Sequence, residues 1–174
     1  MSELSGKQVV LLVADHHNDY EFLYPYIRMK EAGATVKIAG ADKDAVYAGK
    51  YGIPAKADMS FDELDAAKFD GVIIPGGYAP DIVRRHGAAN DFVKKMFDAG
   101  KVVAFICHAG WVPVSAGILD GRRCTSFFAI RDDLVNAGAQ WVDEEVVVDG
   151  NLISSRTPDD LPAFCKAIIA AMNK

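Results

Sequence analysis

Cys107 and His108 stand side by side where an apolar run stops, and this pair is the part of the chain best suited to chemistry. Val102 to Ile106 are all apolar, fenced by Gly100 and by the polar pair, and read as a strand buried on both faces. Ala109, Gly110, Trp111 and Val112 follow, with Pro113 where a first helical turn tolerates it. Cys107 is therefore expected at a strand–turn–helix elbow, the junction that presents a nucleophile at the top of an α/β sheet. A thiol attacks as its thiolate. Bare N–H groups, the positive end of the next helix and an adjacent imidazole would each lower its pKa. The same elbow suits a peroxide-sensing thiol whose sulfinate a nearby donor can hold, so it leaves enzyme and sensor both open.

Two other stretches offer partners for the sulfur. Gly71 to Pro75 reads as a buried strand that runs into Gly76-Gly77, leaving backbone N–H groups bare for an oxyanion. Gln8 to Ala14 is a third such strand, ending in Asp15, His16, His17, Asn18 and Asp19. In a parallel sheet these ends share one edge, which predicts a site built from Asn18, Glu21, Gly76, Gly77, Cys107 and His108. The chain's four histidines are His16, His17, His86 and His108. None lies late with an acid two residues on, so the Cys-His-acid triad of amidotransferases is absent. His16, His17, Asp19 and Glu21 are metal-ligand types, but neighbouring loop histidines rarely hold one ion together. No metal is assigned and no cofactor is expected.

The elements that must position these residues follow from pattern. Thr35 to Ala39 is a further strand, and Leu23, Tyr26, Ile27 and Lys30 lie at helical spacing, with Pro25 placed in the first turn and Gly33 as the stop. Val46 to Asp58 alternates and carries Gly49, Gly52 and Pro54, as an exposed hairpin or flap would. Ser60 with Glu63 makes a capping box, Pro80 to Val83 begins a short helix, and Asn90 to Ala99 forms a longer one. Beyond the elbow, strands are expected over Arg122 to Ser126, Gln140 to Val142, Glu145 to Val148 and Leu152 to Ser154, with a helix over Ile130 to Ala137. Thr157 caps a last helix whose buried stripe is Leu161, Phe164, Cys165, Ile168, Ile169 and Met172. Alternating strands and helices predict an α/β fold, an open and mostly parallel sheet wrapped on both sides.

Composition sets the remaining bounds. A chain of 174 residues, 51% apolar and 25% charged, reads as one domain over 1–174 able to bury its own core. The net charge of −5, with scattered Lys and Arg, disfavours nucleic acid and anionic membrane as partners. No run approaches a membrane span and the N-terminus lacks the order of a signal peptide. Cys107, Cys124 and Cys165 show neither disulfide nor metal spacing, and a reduced, cytoplasmic setting is expected.

Four stretches together resemble the ThiJ/PfpI superfamily, in the branch of intracellular protease I and the bacterial general stress proteins, relatives of the Parkinsonism-associated deglycase. They are Ala-Phe-Ile-Cys-His-Ala-Gly around Cys107, Ile74 to Asp81, Asn136 to Asn151, and Ser154 to Leu161, and the similarity runs nearly end to end. The resemblance implies a flavodoxin-like (class I glutamine amidotransferase-like) fold and a nucleophilic or oxidisable Cys107 beside His108. It implies a homo-oligomer in which Asp81 of one copy serves His108 of another, and oxyanion donors at Gly77 and the His108 amide. It also implies activity on small aldehydes or modified amines, as a deglycase or glyoxalase III-type hydrolase. A cysteine peptidase is the rival enzyme, and a redox sensor or chaperone the non-enzyme alternative. The family's glutamate next to the cysteine falls, by register, on Asn18, with Glu21 starting the helix and facing elsewhere. An asparagine amide donates but cannot shuttle a proton, which favours the sensor. Ala109-Gly110-Trp111, where relatives often carry Gly-Pro-Gln, would reshape the pocket wall.

Overall fold

The apolar runs become strands because only a sheet interior buries both faces of a short β-branched segment. The computed structural model describes residues 3–174. In chain order it contains β1 (Gln8–Leu12), α1 (Asp19–Glu31), β2 (Thr35–Gly40), β3 (Val46–Ala48), β4 (Pro54–Lys56), β5 (Met59–Ser60), β6 (Gly71–Ile74), α2 (Ala79–Val83), α3 (Gly87–Asp98) and β7 (Val102–Ile106). Then follow α4 (Trp111–Ala116), β8 (Arg123–Cys124), α5 (Arg131–Asn136), β9 (Gln140–Trp141), β10 (Val146–Asp149), β11 (Leu152–Ser155) and α6 (Leu161–Met172). The main sheet has the order β10-β11-β7-β6-β1-β2-β5, and only the β10–β11 pairing is antiparallel.

Alternate residues of the central strands face opposite cores. Val10, Leu12, Val72, Ile74, Val103 and Phe105 pack with Phe92, Val93 and Met96 of α3 and Val112 of α4. Val9, Leu11, Ile73, Ala104 and Ile106 pack with Phe22 and Met29 of α1 and with Phe164, Cys165 and Ile168 of α6. Helices thus cover both faces, the flavodoxin-like arrangement expected. Strand order reverses between β1 and β6, and in open α/β sheets the crevice at such a point takes ligands. The carboxyl ends of β1, β6 and β7 meet there.

Three local expectations change. Pro25 lies inside α1 rather than in its first turn, and the buried face is Phe22, Pro25 and Met29, while Ile27 is exposed. Having no N–H, Pro25 gives the Glu21 carbonyl no helical bond, a loss that the packed apolar face offsets. The strand expected over Arg122 to Ser126 shortens to Arg123–Cys124 in a separate two-stranded sheet with β9. It stops there because Thr125 N donates to Ser154 Oγ at 2.9 Å and Phe127 N to the Cys107 carbonyl at 3.1 Å, drawing the chain to the elbow. The helix expected from Ile130 to Ala137 narrows to Arg131–Asn136.

The flap forms as expected from β3 and β4, and its tip is fixed to the loop after β1. His16 N donates to Ala48 O at 2.8 Å, Lys50 N to His17 O at 2.8 Å, and Ala48 N to Asp15 Oδ1 at 2.9 Å. The buried carboxylate of Asp19 accepts from Tyr51 N at 2.8 Å and Ile53 N at 2.7 Å. Asp19→Ala leaves both amides without their acceptor and is expected to lower stability by about 1–3 kcal/mol. Urea unfolding measures that loss, and hydrogen exchange accelerates at Tyr51 and Ile53 ahead of the sheet.

Candidate active site

The elbow begins where β7 delivers extended backbone at Ile106, φ −136°, and the next residue turns sharply. Cys107 has φ 62°, in the left-handed region that a non-glycine residue enters at a cost of about 1–3 kcal/mol. β7 is buried at every residue, and the Phe127 N–H bond to the Cys107 carbonyl holds the other side of the turn. Ala109 and Gly110 permit the descent into α4, since a Cβ at Gly110 would meet Leu134 Cδ1 at 3.0 Å. The strained cysteine is the feature the elbow pattern predicts.

The acid beside the sulfur is Glu21, which corrects the assignment of that position to Asn18. Asn18 is the N-cap of α1, with Oδ1 accepting from Tyr20 N at 3.1 Å and Glu21 N at 3.2 Å. Its own N–H donates to Gly76 O at 3.0 Å, so Glu21 has no call to reach back to the cap. Glu21 turns inward instead and is fully buried beside Cys107, its Oε2 accepting from Gly76 N at 2.7 Å and its Oε1 left without a hydrogen-bond partner. A proton-bearing carboxyl next to Cys107 is therefore present, and Asn18 no longer argues for a sensor over an enzyme.

The glycine pair is more than a turn. A Cβ at Gly76 would lie 2.4 Å from Glu21 Oε2 and 2.8 Å from Cys107 Cβ. Gly77 has φ 77°, and a Cβ there would strike the backbone of Asn18 and His16 at 2.5 Å. The Gly76 N–H is occupied by Glu21, which removes it from the expected oxyanion donors. The amides of Gly77 and His108 are the ones whose pull lowers the pKa of the Cys107 sulfur.

Protonation departs from the expectation of an acidified thiol. Burial pushes Cys107 up to about 12, with the charge of Glu21 the second cause, against the opposing pull of the His108 and Gly77 amides. Burial also pushes Glu21 up to about 8, outweighing the pull of Gly76 and Cys107. At neutral pH the carboxyl is thus mostly protonated, and its repulsion of a thiolate operates only at higher pH. His108 Nδ1 stands 3.2 Å from the Cys107 sulfur. Its ring stacks on Phe127 at 4.9 Å and meets Trp111 edge-on at 5.4 Å. Burial first and Lys50 second hold His108 below its ordinary pKa, so a neutral ring is available to take the thiol proton.

Above Cys107 opens a cavity of about 590 Å³. Its wall includes Asn18, Gly77 and His108 as expected, with His16 from the same loop. Trp111 is in the wall too, as the Ala109-Gly110-Trp111 segment was expected to be, whereas Lys50, Tyr51, Tyr78, Phe127 and Thr157 were not anticipated. Lys50 and Tyr51 sit between the flap glycines Gly49 and Gly52, a legible signal for an exposed tip but not for where it folds. Asp81 is not brought to His108 within one chain: its carboxylate pairs with Arg85 one turn on in α2 and beyond. His17 is buried with Nδ1 3.1 Å from the Ala14 carbonyl, while His16 faces the cavity. Among the described residues no three His, Cys, Asp or Glu side chains gather as a metal-binding group. Nor is any helix there long and apolar enough to cross a membrane.

The DJ-1/PfpI family model matches residues 7–171. Deglycase PfpI of Pyrococcus furiosus is 46% identical over 162 residues, covering 93% of this chain and 97% of that protein. Putative cysteine protease YraA of Bacillus subtilis is 39% identical, covering 91% and 94%. General stress protein 18 of the same organism is 37% identical, covering 97% and 99%. A two-domain crystal structure from Anabaena variabilis, with DJ-1/ThiJ/PfpI-like and ferritin-like domains, superposes with a TM-score of 0.93 at 42% identity. That match covers 94% of this chain and 47% of the other.

The buried carboxyl makes a pH prediction whose sign is fixed. Between pH 4.5 and about 8 folded Glu21 retains a proton that the unfolded chain has released, so its contribution to stability falls as pH rises through that window. Thermal unfolding at both ends of the window should show a smaller loss for Glu21→Gln than for the parent chain. An equal loss would assign the pH dependence to other groups.

Proposed function

The chain belongs to the DJ-1/PfpI family, and from that premise we propose that it is a cysteine-dependent deglycase of the glyoxalase III type, acting on small aldehydes and on amines modified by them. One observation carries the reading: a strained Cys107 has a fully buried glutamic acid on one side and a neutral imidazole nitrogen 3.2 Å away on the other. The relatives named deglycase and general stress protein support it, as they match this chain nearly end to end.

With methylglyoxal the steps balance without an outside oxidant. His108 Nδ1 takes the thiol proton, and the sulfur adds to the aldehyde carbon to form a hemithioacetal. The new alkoxide takes a proton back from the imidazolium, while the Gly77 and His108 amides face the charge that develops around the sulfur. The hydrogen on the former aldehyde carbon then moves as a proton, through His108, to the adjacent carbonyl carbon, while the hydroxyl proton on the first carbon passes to the oxygen of the second. The first carbon thereby reaches the acid level as a thioester and the second is reduced to an alcohol. Water cleaves the thioester, releasing lactate and the free thiol. Glu21, protonated below about pH 8, donates to the sulfur and so offsets the cost of burying its charge.

Two parts of this reading lie beyond a single chain. Asp81 is engaged by Arg85 in its own chain, so it would orient His108 only from a second copy in a homo-oligomer. All three cysteines are free and buried, which suits the reducing cytoplasm as the place of action.

A sensor is the rival that the same geometry favours, because the donors around Cys107 would also hold a sulfinate. Lactate formation from methylglyoxal separates the two. The parent chain should produce lactate, Cys107→Ala none above background, and His108→Ala about 100-fold less. A rate untouched by Cys107→Ala overturns the enzyme reading. Absence of lactate, together with ready conversion of Cys107 to the sulfinate by peroxide, gives the site to the sensor, and cleavage of peptides in its place gives it to the peptidase.

A further inference from the structure

The charged and amide side chains in the wall of the Cys107 cavity are all hydrogen-bond donors, and no Asp or Glu is among the lining residues. This is unexpected in a chain of net charge −5. The nearby carboxyls are accounted for elsewhere. Asp19 is turned away to the flap amides, and Glu21 lies beneath the sulfur, mostly protonated at neutral pH.

Lys50 supplies the one formal charge in the wall. Its backbone N–H is tied to His17 O at 2.8 Å, so the flap tip is held in place. Its ammonium lies 5.4 Å from the centre of the Tyr51 ring and has no carboxylate partner among the described residues. The charge is felt at the chemistry, because it is the second cause of the lowered His108 pKa. Next to His17, to which the Lys50 backbone is tied, both acceptor positions of Asn18 Oδ1 are filled by the helix it caps, which leaves its NH₂ group as a donor. An electropositive mouth above an electrophile-seeking sulfur selects for one class of molecule.

We propose that Lys50 and the Asn18 amide form an anion subsite, and that the preferred substrates are short aldehydes or their adducts that carry a carboxylate beside the reacting carbonyl. Lys50 acts here as a specificity residue and touches no reacting atom. The substrate class rests on the deglycase reading above, but the subsite does not.

Alkylation of Cys107 tests the subsite without any turnover. Iodoacetate and iodoacetamide both lose iodide to the thiolate and differ chiefly in the negative charge of the first. Cys124 and Cys165 are 0% and 1% exposed, and mass measurement assigns the label to Cys107. The informative quantity is the ratio of the two rates, because a change in the basicity of His108 affects both reagents and cancels. Lys50→Met should lower the iodoacetate-to-iodoacetamide ratio about threefold to fivefold, the effect of one partly screened charge. Lys50→Arg should preserve it, and added salt should narrow the gap between the parent chain and Lys50→Met. Asn18→Asp keeps an N-cap while placing a carboxylate in the wall, and should lower the ratio as well.

A ratio unchanged by both Lys50→Met and Asn18→Asp overturns the subsite whatever becomes of lactate production. A lowered ratio in a protein that makes no lactate keeps the subsite and removes the deglycase.

Discussion

The hydrogen bond from Gly76 N–H to Glu21 Oε2, 2.7 Å long and wholly buried, is the contact on which the site depends. It joins the start of α1 to the end of β6. A second bond, Asn18 N to Gly76 O at 3.0 Å, closes the pair in the opposite sense. An isolated carboxylate would not stay in such a place, since burial of an unpaired charge costs about several kcal/mol. Glu21 stays because it keeps its proton through neutrality and because a peptide N–H meets one oxygen. No side chain other than hydrogen fits at Gly76, where a Cβ would fall between that oxygen and Cys107. The acid, the glycine and the cysteine therefore define one another's positions.

From this contact the protonation of the site follows. The sulfur is embedded with an acid, two amides and an imidazole, and burial dominates the shifts of both Cys107 and Glu21. Amides aimed at a thiol do not by themselves make it acidic. Their effect must exceed the loss of water, and here it does not. All three directions of shift describe a resting site of neutral thiol, neutral imidazole and protonated carboxyl, and they make transfer of the thiol proton to His108 uphill until a substrate is there to trap the thiolate. It also means that reactivity depends on what the substrate brings into the cavity.

Much of the fold was legible from the sequence, and the reason is periodicity. The buried strands β1, β6 and β7, the flap, the capping box at Ser60 and the stripe on α6 are each written in local patterns that tertiary structure had no cause to override. The elbow at Cys107 was legible for the same reason: a β-branched run can end only so many ways before a helix. What was not legible depended on rotation rather than on position. Counting residues from the end of β1 put Asn18 nearest the sulfur, yet a helix turns each successive residue by about 100°, and the cap decides where that rotation begins. With Asn18 as N-cap, Glu21 is the residue that faces the sheet edge. The face of α1 was misjudged in part: Leu23 and Tyr26 do pack against the core, but Ile27, as apolar as Met29, is exposed, and Phe22, Pro25 and Met29 take the buried centre. Lys50 and Tyr51 carried no signal of their contact with the cavity, because the bonds that fold the flap inward come from Asp15, His17 and Asp19 over thirty residues earlier.

Opposite charges are kept on separate levels of this site. The acid is below the sulfur, shielded from water and protonated; the cation is above it, on a hairpin exposed to solvent. Had both been on one level they would have formed an ion pair, ionised Glu21 and raised the cost of forming a thiolate beside it. Separation lets Glu21 act as a donor toward sulfur while Lys50 remains free to meet an anion. Asp19 preserves that separation: by accepting from Tyr51 N and Ile53 N it spends its charge on the flap backbone on either side of the tip and forms no ion pair with Lys50. The hairpin's place over the cavity and the sign of the field inside it thus have a common origin in the loop that follows β1.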